Sequence, residues 1–149
     1  MLRTSTTSTD GTNSAHASLL WLLLGLFCFR VAAQLVVAVT PLPFLPPFEA
    51  WHSDSMPYPV LVIAQIAIIA LCARMARGIA MERTEARSRL GALLLLLGGL
   101  YFLFMMVRLV LGATLLSDLS WWHAPVPSCF HLVLASFLIV AGHFHRTRG

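Results

Sequence analysis

Residues 90–116 read LGALLLLLGGLYFLFMMVRLVLGATLL, an apolar run interrupted by a single charge, Arg108. Crossing the hydrocarbon of a bilayer takes about 20 apolar helical residues, within a range of about 17–25. This run is long enough to cross with some tilt. Three further runs resemble it: Ser18–Thr40, Tyr58–Met75 and Val126–His143. The first is comfortable in length, and the other two are near the lower limit. The reading is therefore all-α, an integral membrane four-helix bundle.

Composition agrees. The chain has 149 residues, 58% of them hydrophobic and 11% charged, with a mean hydropathy of +0.82. A soluble domain carries about 25% charged residues. Too little charge remains for a water-facing surface, which excludes a soluble enzyme and a disordered chain. The length is that of one domain. Residues 1–17 are rich in Ser, Thr, Gly and Asn and read as a flexible polar tail, with residues 146–149 forming a short polar end. Leu19–Phe29 could serve as the apolar core of a signal peptide, with Val31-Ala32-Ala33 as its cleavage site. The run continues through Val39, however, and Arg30 stands beside the site, so an uncleaved first helix is expected.

The net charge of +4 is all arginine against acid, with no lysine. Arg74, Arg77, Arg83, Arg87 and Arg89 cluster between two apolar runs. No aromatic or hydrogen-bonding face surrounds them as a nucleic-acid groove would need, so no nucleic-acid partner is expected. Arg3 in the tail and Arg146 and Arg148 at the end fall on the same side by topology. The first loop (Pro41–Pro57) and third loop (Ser117–Pro125) hold no arginine, and carry Glu49, Asp54 and Asp118 instead. The positive-inside rule then places both termini and the second loop in the cytoplasm. A multi-pass protein of a plasma (inner) membrane, of bacterial type, is the expectation. The mixed-charge stretch Met81–Arg89 reads as a solvated, orienting segment that could continue a helix through i,i+4 pairs.

Five polar side chains interrupt the runs: Arg30, Gln34, Gln65, Arg108 and His131. At about 1.5 Å rise per residue they lie about 15, 9, 10, 12 and 8 Å below the outer ends of their helices. All five share the outer half of the bilayer. Arg30 and Gln34 are four residues apart and so share a face. In the third run Gly98, Tyr101, Met105, Arg108 and Gly112 form one stripe, whose small residues allow close helix approach in lipid. His131 and Ala135 do the same in the fourth.

Embedded arginine costs about 2.5–3.5 kcal/mol at a helix centre on insertion scales. Three outcomes are open. Glu49 folds inward as a partner, the guanidinium forks hold an anionic or carbonyl-bearing ligand, or Arg108 snorkels to the interface. The first loop is broken by Pro41, Pro43, Pro46, Pro47 and Pro57 and carries Phe44, Phe48 and Trp51. It reads as an interfacial belt, or as a lid bringing Glu49, Trp51 and His52 to the polar cluster, with Trp121, Trp122 and His123 behaving alike in the third loop.

Metal and catalytic signals are weak. There is no HExxH and no nucleophile elbow. Cys28, Cys72 and Cys129 stand singly in apolar runs, without ligand or disulfide spacing. Haem would need two facing histidines, and only a His16–His143 pair is conceivable. The functional expectation is a pocket of Arg30, Gln34, Gln65, Arg108 and His131, with Glu49, Trp51 and His52 above it. Its ligand would be lipid-like, anionic or quinone-type. Alternatives are a structural or accessory subunit of a membrane complex, self-associating or bound to a partner protein, and a membrane-embedded enzyme or haem-binding redox subunit.

Overall fold

The computed structural model describes residues 7–40, 57–81, 83–114 and 125–149. Its four helices are α1 (Thr7–Val39), α2 (Tyr58–Ala80), α3 (Ser88–Thr114) and α4 (Pro125–Arg148). All four are long and apolar enough to cross a membrane. Their surface suits lipid rather than water: Phe29, Ile63, Leu96 and Leu103 are each at least 60% exposed. So many bare large side chains would drive aggregation in water and cost nothing in hydrocarbon.

The helix ends follow local chemistry. α1 stops at the boundary of the proline-rich loop, with Thr40 N–H donating to Val36 O at 2.8 Å. α2 begins at Pro57-Tyr58-Pro59, where proline fixes a helical φ and its missing N–H is not needed. It runs on to Ala80, past the expected Met75, and closes with Met81 N–H on Arg77 O at 2.9 Å. α4 likewise continues past His143 to Arg148, because its last turn carries His145, Arg146 and Arg148 against the negative end of the helix dipole. α1 starts at Thr7, well inside the stretch expected to be a flexible tail. Adding turns to an existing helix costs far less than starting one, and Ala17 of that stretch is buried. Residues 83–87 are not helical, so of the stretch Met81–Arg89 only Ser88 and Arg89 belong to a helix among the described residues.

Packing runs α3 on α4, α4 on α1 and α1 on α2, whereas α2 and α3 make little direct contact. Glycine sets the closest approach. A Cβ at Gly91 would lie 2.6 Å from Arg146 N and 2.9 Å from Gly142 O, and one at Gly142 would lie 2.8 Å from Leu95 N. Backbone meets backbone there, as small residues permit in membrane bundles.

The interior divides along the bundle axis. Toward the N-terminus of α1 and the C-termini of α2 and α4, Leu20, Leu24, Cys72, Ala76, Ile79, Phe137, Ala141 and Phe144 form an apolar core. Toward the opposite end the buried polar side chains are Arg30, Gln34, Gln65, Arg108 and Ser128, with Val31, Val37 and Met105 buried beside them.

Candidate functional site

Each helix contributes to the polar half. From α1, Gln34 is fully buried and Arg30 is 6% exposed; Gln65 of α2 is 4% exposed and Arg108 of α3 is 6%. His131 of α4 is half-buried. Gln65 Nε2 donates to Gln34 Oε1 at 3.2 Å, joining α1 to α2. Tyr101 Oη and His131 Nδ1 are 2.6 Å apart, joining α3 to α4, with the rings edge to face at 5.9 Å. When the phenol donates, Nε2 carries the imidazole hydrogen and points a donor elsewhere. The Arg30 guanidinium carbon sits 5.6 Å from the centroid of the Phe130 ring, a cation–π contact between α1 and α4.

Two atoms of the glutamine pair have no hydrogen-bond partner among the described residues: Gln34 Nε2, a donor, and Gln65 Oε1, an acceptor. Exchanging oxygen and nitrogen on both amides reverses the bond and leaves the same inventory, one NH₂ and one C=O. The result therefore does not depend on how the amides are oriented. The four spans hold two such guanidinium groups in this half and no carboxylate anywhere. Among the described residues the glutamine pair offers one spare donor and one spare acceptor beside two guanidinium groups, suited to an oxygen-rich group.

All five embedded residues of the sequence expectation thus lie in one half of the bundle. Glu49, Trp51, His52 and His123 lie outside the described residues. Tyr101 was legible only as a member of the α3 stripe, and its phenol turns out to hold His131. Ser128, fully buried, and Phe130 gave no sequence signal beyond their place at the start of α4.

At the other end, His16 and His143 stack with centroids 5.4 Å apart and planes 12° from parallel, and His16 Nε2 is 3.2 Å from His143 Nδ1. The two nitrogens meet each other, an arrangement unlike two axial ligands flanking a planar macrocycle. His145 is 3% exposed and accepts the Arg87 backbone N–H at 3.3 Å. No protein family, curated protein or solved structure matches the chain.

Proposed function

We propose that this small multi-pass membrane protein binds a lipid-like, anionic or quinone-type ligand in its polar half. By the arginine asymmetry of the loops, that half belongs to the outer leaflet of a plasma membrane. The observation that carries the reading is the spare donor and acceptor of the Gln34–Gln65 pair. Leaving a buried polar group unmatched costs about 1–3 kcal/mol. A carboxyl, phosphate or hydroxylated carbonyl group supplies acceptor and donor together, and Arg30 and Arg108 add the charge that favours an anion.

A second reading, an accessory subunit whose polar groups fix helix packing, is favoured by the Tyr101–His131 bond, which is closed within the bundle. Thermal unfolding of the full chain in detergent, with and without a total lipid extract of its host membrane, separates the two. A ligand at 100 times its Kd adds about 2.7 kcal/mol of stability. The extract should raise the melting temperature of the parent more than that of a Gln34→Met/Gln65→Met variant. An equal rise in both would leave the accessory reading standing and the ligand reading overturned.

A further inference from the structure

The arginine-rich end carries a second feature, separate from the polar half. Because α2 and α3 pack on α1 and α4 rather than on each other, a groove of about 570 Å³ opens between them. That is within the about 300–1,000 Å³ of small-molecule sites. Leu71 of α2 and Leu90 and Leu94 of α3 line it, together with Arg74, Arg83, Arg87 and Glu85 among the described residues. Its inner end is closed by Ile79 and His145, both almost fully buried. His145 also fixes the loop wall, since its Nδ1 accepts the Arg87 N–H at 3.3 Å.

The layout matches an amphiphile. Arg74 lies about 9 Å from the Ala80 end of α2, and Leu71 lies about 4.5 Å deeper, at about 1.5 Å per residue. On the same ruler Leu90 and Leu94 lie about 3 and 9 Å from the Ser88 end of α3, so the loop arginines Arg83 and Arg87 stand at head-group level, Arg74 and Leu94 below them, and Leu71 deepest, at the level of the acyl chains. Leu71 is 60% exposed and Leu90 is 38% exposed, so the walls offer apolar area that the bundle itself leaves uncovered. Basic pockets between transmembrane helices favour anionic head groups, and each arginine near the surface contributes about 1 kcal/mol. Guanidinium forks bind phosphate oxygens in pairs.

We infer that this groove holds one anionic glycerophospholipid, its phosphate among Arg74, Arg83 and Arg87 and an acyl chain along Leu71, Leu90 and Leu94. The second loop is then a binding wall as well as an orienting segment.

The test is native mass spectrometry of the full chain released from detergent with phosphatidylglycerol, phosphatidylcholine or inorganic phosphate. Two variants remove equal charge from exposed side chains of the same region. Arg83→Gln/Arg87→Gln alters the groove, and Arg77→Gln/Arg89→Gln alters arginines that do not line it. The parent should retain phosphatidylglycerol in preference to phosphatidylcholine. The groove variant should lose that retention by about tenfold or more, given about 1 kcal/mol per arginine, while the control variant keeps it. Equal retention of the two lipids overturns the inference. So does an equal loss in both variants, which would mean diffuse attraction, or inorganic phosphate binding as well as the lipid, which would mean the apolar walls contribute nothing.

Discussion

At the scale of single residues, the glutamine pair carries the most information. Gln34 and Gln65 are buried in a bundle whose surroundings offer no water, yet each has one amide atom without a partner among the described residues. Replacing Gln34 alone by Met removes one unmatched atom but strands Gln65 Nε2. Replacing Gln65 alone strands Gln34 Oε1 in the same way. Replacing both removes the bond and the unmatched atoms together, and such double replacements are close to neutral. Interhelical side-chain bonds in membrane bundles average about 0.6 kcal/mol, with a maximum of about 1.7. A double-mutant cycle by unfolding in detergent, without added lipid, should give a coupling energy in that range. The Gln34→Met/Gln65→Met protein should be at least as stable as the better single variant. Additive losses would show that the two side chains do not meet. These residues were legible in the sequence because a polar group inside an apolar run is expensive, and its depth can be counted along a helix. Partnership was less legible. Depth does not fix rotation, so nothing in the sequence paired Tyr101 with His131.

At the scale of elements, the existence of each helix followed from its apolar run, but several ends did not. Thr7–Ala17 of α1, Ala76–Ala80 of α2 and Phe144–Arg148 of α4 extend beyond the apolar runs. The added turns of α2 and α4 hold because neighbours cover them: Ala76 and Ile79 join the apolar core, and Phe144 and His145 are buried. A count of apolar residues on one helix cannot anticipate cover supplied by another. The α3–α4 crossing gives a sharper expectation. Gly91→Ala and Gly142→Ala place a methyl group within 3.0 Å of backbone atoms of the facing helix. Backbone cannot rotate away as a side chain can, so the helices must separate, at about 1–3 kcal/mol for overpacking. A Cβ at Gly25 or Gly99 meets nothing within 4 Å. Alanine there should be neutral or slightly stabilising, through the helix propensity glycine lacks. Melting temperatures of the four variants in one detergent check the contrast. Equal losses at all four positions would contradict the crossing as the source of the cost, since of the four only Gly91 and Gly142 face backbone of another helix.

At the scale of the whole molecule, the apolar core and the polar half lie at opposite ends of the bundle. The arginines of the second loop lie at the same end as the core. The fold alone does not say which end faces the cytoplasm. The proposed orientation rests on the arginine asymmetry, with Arg74, Arg77, Arg83, Arg87 and Arg89 in or beside the second loop and none in the first or third. Both the outer-leaflet reading of the polar half and the orienting role of the second loop depend on that assignment. Cysteine-accessibility labelling in intact cells tests it most directly. The native thiols must first be removed, since Cys28 is half-buried, Cys72 buried and Cys129 exposed. In a Cys28→Ala/Cys72→Ala/Cys129→Ala background, Ser53→Cys should react with an impermeant maleimide and Thr84→Cys should react only after lysis. The reverse pattern, Thr84→Cys labelled from outside and Ser53→Cys protected, would invert the molecule and place the polar half in the cytoplasmic leaflet, contradicting the account.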